Sequence, residues 1–109
     1  LYEIKGKTII MTRGDTARIV VTITDQEGNP YEPSRNDTIR FAVKKNYSDD
    51  EPLFIIPVPI NTLVLVIQPS DTKSLPFGDY VYDVQLTRAN GDVDTFINKG
   101  TLRISEEVD

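Results

Sequence analysis

A chain of 109 residues and 12.3 kDa is one domain's worth, and 39% hydrophobic residues supply one core. With 27% charged residues and a net charge of −5, it is too apolar and too balanced to stay disordered. It has no cysteine and no histidine, which removes disulfides, thiolate and imidazole catalysis, and cysteine or histidine metal sites.

An acidic balance, with pI near 4.6, argues against a nucleic-acid partner. The longest apolar runs, Leu53 to Ile56 and Leu63 to Ile67, fall far short of the roughly 20 residues that span a bilayer, so no membrane partner is expected. Nothing at the start reads as a charged region followed by an apolar one. The whole of 1–109 is expected to be a single domain.

Period-two alternation dominates the chain. A first strand is predicted near Thr8 to Met11, followed by a turn at Arg13-Gly14-Asp15. Ala17, Ile19, Val21 and Ile23 then alternate with Arg18, Val20, Thr22 and Thr24, and Asp25 to Pro30 is turn chemistry. Ile39, Phe41 and Val43 alternate in a third strand, and 46–52 is a polar, acidic loop. The stretch Leu53 to Ile60 is apolar at both parities. Its prolines, Pro57 and Pro59, cannot donate to a ladder, so the segment is expected at a sheet edge. Leu63, Leu65 and Ile67 mark a fifth strand. Ser70 to Leu75 has room for about one helical turn, with Ser70 as the cap and Asp71 near its start. Tyr80, Tyr82, Val84 and Leu86 mark a sixth strand, and Asn90-Gly91 a hairpin turn. The last strand runs from about Val93 to Ile104. Its inward set changes from Val93, Thr95 and Ile97 to Leu102 and Ile104, which predicts a bulge near Gly100. The four last residues, 106–109, read as a frayed acidic exit.

Seven strands between turn signals predict an all-β sandwich or barrel, which the stretch from Leu75 to Leu86 narrows to an immunoglobulin-like antiparallel sandwich. Its expected core holds Ile19, Val21, Phe41, Val43, Leu65, Tyr80, Tyr82, Val84 and Leu86. The most specific stretch is Leu75 to Leu86. There a tyrosine at the start of the sixth strand buries its ring and sends its hydroxyl back to upstream backbone, a tyrosine corner. Parity leaves Tyr80 and Tyr82 equally suited to that part.

An RGDT step, a turn of the type D-x-E-G-N-P, the segment IRFAVKKNYSDDEPLF and the half LVLVIQPSDTKSLPFGDYVYDVQLTRANGDVDTFINKGTLRI follow in order from Arg13 to Ile104. This layout resembles the immunoglobulin-like N-terminal domains of phage and prophage baseplate or tail-fibre proteins of Gram-positive bacteria, the baseplate upper protein among them. The resemblance implies a structural part of a tail, in a virion or encoded by a prophage in a bacterial cytoplasm. Its partners would be other tail or baseplate proteins, or copies of itself in a homo-oligomer.

The chemistry-bearing residues have plainer readings. Arg13-Gly14-Asp15 is a turn between strands rather than an integrin ligand. Asp49-Asp50-Glu51 lacks the glycine and ligand spacing of a calcium loop, even with Asp71, Asp79 and Asp83 as further ligands, and reads as a solvated loop. Asp79 and Asp83 lie about 13 Å apart on one strand face, beyond the separations of glycosidase carboxylate pairs. Arg40, Lys44 and Lys45 do not converge, and the glycines are scattered singly. No enzyme, cofactor or metal is expected.

Two functions fit such a domain: an assembly module, or a cell-surface or carbohydrate-binding immunoglobulin-like module. Carbohydrate binding wants outward aromatics, and assembly wants outward apolar residues and usable strand edges. Val20, Val64, Val66 and Val81 are outward by alternation and aliphatic, which favours assembly. Phe54 and Ile56, or their neighbours of the other parity, are expected to form a protein interface, with Val58, Val64 and Val66 beside them.

Overall fold

In the computed structural model, residues 2–5, 7–24 and 27–106 are described, with side chains at 7–24, 27–95 and 100–106. The strands are β1 (Tyr2–Lys5), β2 (Thr8–Thr12), β3 (Ala17–Val20), β4 (Thr38–Lys44), β5 (Phe54–Val58), β6 (Val64–Ile67), β7 (Gly78–Thr87) and β8 (Val93–Ser105), and α1 is Pro69–Thr72. Six strands form one sheet in the order β1-β2-β8-β7-β4-β5, and β3 and β6 form a second. Pairing is antiparallel except between β2 and β8, which run parallel.

The fold is the expected immunoglobulin-like sandwich. One apolar layer joins the two sheets. Ile39, Phe41, Val43, Tyr82, Val84, Leu86, Leu102 and Ile104 come from the large sheet, and Ala17, Leu65 and Ile67 from the small one. Every residue of the expected core is buried except Ile19, which is half-buried and packs against that layer.

Several boundaries differ from the sequence reading. Among the described residues there are eight strands rather than seven, because β1 forms a hairpin with β2. The second predicted strand ends at Val20. Its partner β6 begins at Val64, and Leu63 just before it turns the chain with φ 55°. Val21 and Ile23 keep their inward parity beyond the strand's end. The helix opens at Pro69, not at Ser70, with Gln68 at its cap. Proline's fixed φ suits the first helical position, where its missing N–H is no loss. Asp71 accepts the Gln68 N–H at 2.7 Å, so it does sit at the helix start.

The last strand carries two register shifts between Tyr82 and Gln85 of its partner, so β8 holds extra residues between Thr95 and Gly100. This is the bulged region expected near Gly100. The inward set predicted for its first half is corrected. Val93 is 55% exposed and Thr95 is exposed, because Asp94, not its neighbours, lies opposite buried Leu86. The side chain of Ile97, the residues Asp25 and Gln26 of the predicted turn, and 107–109 of the predicted exit lie outside the described residues.

Hydrogen bonding resolves the tyrosine corner. Tyr80 is 2% exposed and its hydroxyl donates to the Pro76 carbonyl at 2.6 Å, four residues upstream. The Tyr82 hydroxyl reaches instead to the Lys7 carbonyl at 2.9 Å, tying β7 to the β1–β2 hairpin. Tyr80→Phe removes one hydrogen bond, so it is expected to cost about 0.5–1.5 kcal/mol. Urea denaturation reads this directly, and an unchanged midpoint would remove the corner from the account.

Candidate interaction surface

The surface is organised by which parity of each strand turns outward. On β5 the structure settles the alternative left open by sequence. Val58 is 3% exposed, and Phe54 and Ile56 pack against the core, so these three are not the outward set. The expectation that they present a docking surface is corrected. Their neighbours Leu53 and Ile55, 48% and 50% exposed, face outward together with exposed Pro57. The signal was in the sequence. Proline is a surface residue, and Pro57 shares its parity with Ile55. The segment does form an edge strand, as predicted, paired only with β4 in its sheet.

Next to Ile55 on the same outer face lies Ala42, which is buried. Further in, the face turns polar. Arg40 donates to Gln85 at 2.8 Å, and Gln85 donates to Asp83 at 3.3 Å. The other oxygen of Asp83 is buried without a hydrogen bond. Asp83 is the β7 residue that the first register shift leaves without a β8 partner. The outer face is therefore aliphatic at the β5 edge and polar beyond it, the layout of an apolar patch with a polar rim.

The small sheet has a second aliphatic face. Val20 is 71% exposed, and Val64 and Val66, half-buried, lie beside it at Val20↔Val64 and Arg18↔Val66. Val81, the fourth outward valine, is half-buried.

The remaining candidates are absorbed by the fold. The Arg13 guanidinium lies 4.3 Å from the centre of the Phe77 ring and donates to the Leu75 carbonyl at 3.3 Å. The Gly14 N–H donates to the Thr72 hydroxyl at 2.9 Å, with φ +85° that favours glycine. The RGD step thus pins the first turn to the connection after β6. Asp49 accepts the Asn46 N–H at 3.0 Å, and Lys44 donates to the Asp49 carbonyl at 2.7 Å, so that acid shapes its own loop. Asp79 pairs with Arg103 at 2.8 Å, and the Arg103 hydrogen bond holds its carboxyl below the usual range. Lys45 donates to the Asp79 carbonyl and lies 4.6 Å from the Tyr80 ring centre. Among the described residues no three acidic side chains gather into a metal-binding group, and no helix is long and apolar enough to cross a membrane.

One polar cluster was not anticipated from sequence. Arg88 donates to Asp94 at 2.6 and 2.9 Å and to the Tyr31 hydroxyl at 3.2 Å. Tyr31 in turn donates to Asp37 at 3.2 Å, and Asp37 also accepts the Ser34 N–H at 3.0 Å. That N–H, foremost, holds the Asp37 carboxyl below its ordinary value. The cluster ties the 31–37 loop to the β7–β8 hairpin. Its members lie up to 63 positions apart in the chain, so no local motif announces it.

No protein-family model matches the chain, and no curated protein matches it either.

Proposed function

We propose that this domain is a non-enzymatic assembly module of a phage or prophage tail or baseplate, acting through protein–protein contacts. The observation that carries the reading is the chemistry of the outward residues. Leu53, Ile55 and Val20 are each about half exposed or more, and they are aliphatic. Such side chains on open strands suit packing against another protein better than stacking on a sugar. The tail setting rests on the ordered resemblance from Arg13 to Ile104.

Two exposed aromatics bear on the carbohydrate-binding alternative. Phe77 carries the Arg13 guanidinium against its ring, which occupies a stacking surface. Tyr47, 51% exposed in the acidic loop, stands without a second ring beside it among the ring contacts of the described residues. A lone ring is a poor sugar platform. Gold-labelled antibody against the domain, applied to purified phage particles from the source strain, tests the proposal. Gold at the tail tip or baseplate is the expected result. Unlabelled particles together with saturable glycan binding abolished by Tyr47→Ala would replace this reading with the alternative.

A further inference from the structure

The sandwich leaves its strand edges in different states. On β5, Pro57 lacks an N–H and Pro59 follows the strand, and both hinder the addition of another strand. β6 has β3 on one side and β5 close by on the other. β1 carries Glu3 and Lys5 in its four residues. The segment 17–24, by contrast, reads Ala-Arg-Ile-Val-Val-Thr-Ile-Thr, with no proline and a single charge.

The phase of the β3–β6 ladder shows what this edge offers. Pairing runs Ala17↔Ile67 and Ile19↔Leu65, and the Val21 N–H donates to the Leu63 carbonyl at 2.8 Å. In an antiparallel ladder, alternate residues bond to opposite sides. Residues 17, 19 and 21 are therefore engaged with β6, and Val20 and Thr22 aim their N–H and C=O groups away from it. Neither residue makes a backbone hydrogen bond on that side among the described residues, and both are exposed.

We propose that the open edge of β3 is a strand-pairing site for a second copy of this chain, the two β3 strands meeting antiparallel with Val20 opposite Val20. The proposal rests on the assembly reading and names a partner for it. Placing the two-fold axis at Val20 sets Arg18 opposite Thr22, so no like charges face each other. The outward groups of Val20 and Thr22 then fall in register. The shift is even, so Ile19 and Val21 of both copies keep their inward parity. On the other face, Val20, Val64 and Val66 of one copy continue into the same three of its mate. This edge is only about five residues, roughly 17 Å long. Together with three valines per copy it buries less than the ~1,200 Å² of a stable interface, so the pairing is weak and depends on concentration. A dissociation constant between about 10 µM and 1 mM is expected, tightening where copies are held side by side in a larger assembly.

Amide hydrogen exchange followed by NMR on the full chain, with light scattering on the same samples, tests this. The Val20 N–H is expected to exchange about two- to sixfold more slowly at ~1 mM than at ~20 µM, as the monomer fraction falls over that range for a constant between about 10 µM and 1 mM. Val20→Pro removes that outward donor and spares the bonds to β6. It should abolish both the protection and the dimer while circular dichroism stays that of the wild type. Val20→Lys, which keeps the backbone donor and adds an edge charge, should do the same and decides the matter if the proline variant fails to fold. Equal Val20 exchange at both concentrations, or a dimer that survives Val20→Lys, overturns the proposal. Particle labelling would be unaffected by that failure, so the assembly reading is judged separately.

Discussion

Phe41→Ala is expected to destabilise the domain by about 3–5 kcal/mol in chemical denaturation. Phe41 is fully buried at the centre of β4, between β5 and β7. Its ring lies 5.0 Å from that of Tyr82 and 6.5 Å from that of Phe54, so truncation opens a cavity that three strands line. Native domains hold only about 5–15 kcal/mol, so the loss takes a large share of the total. For a chain of this size it lowers the melting temperature by roughly 15 °C. A loss below about 1 kcal/mol would mean that the site collapses freely, and the packed core drawn around Phe41 would be wrong.

The second large effect is expected at Gly100. A Cβ at this position would overlap the Tyr82 ring, with Cε1 only 2.7 Å away. The ring cannot easily retreat. It is 6% exposed, contacts Phe41 on one side, and is held at its far end by the hydrogen bond to the Lys7 carbonyl. Gly100→Ala should therefore cost about 1–3 kcal/mol, the usual range for overpacking. A double-mutant cycle separates this clash from any loss of backbone freedom. With Tyr82→Leu in place the alanine should cost much less, a coupling of at least about 1 kcal/mol. Full additivity would place the cost in the backbone instead. The glycine has the same meaning for the fold: it gives a neighbouring aromatic room to lie flat over the bulged strand.

Alternation made the core legible where an inward residue has a polar or small neighbour that fixes the face. Phe41, Val43, Val84 and Leu86 are such cases. Leu53 to Ile60 defeated the same logic, since both of its parities are apolar. Only proline's preference for the surface separates Ile55 from Ile56 there. Tyr80 and Tyr82 share a parity, and only the reach of each hydroxyl, back to Pro76 or across to Lys7, tells their roles apart. The β1 strand went unread because its pairing is set by a hairpin to β2, itself held by a parallel ladder to β8 over 90 residues away. A separation of 57 residues likewise hid the Tyr31–Arg88 contact, where the guanidinium lies 5.1 Å from the ring centre. The outward valines of the small sheet were legible, because Val20, Val64 and Val66 alternate with inward Ile19 and Leu65.

The central proposal is that this domain joins a larger protein assembly through its outward aliphatic residues. Its most direct test is gold labelling of purified particles repeated with a chromosomal Ile55→Asp variant. Ile55 faces outward, so the variant should fold and melt as the wild type does, while Phe54→Asp, at an inward position, should not. The account predicts wild-type label at the tail tip or baseplate, and its loss with Ile55→Asp despite an unchanged level of soluble, folded protein. Particles that carry no label with the wild-type domain, in a strain that makes it abundantly, would contradict it.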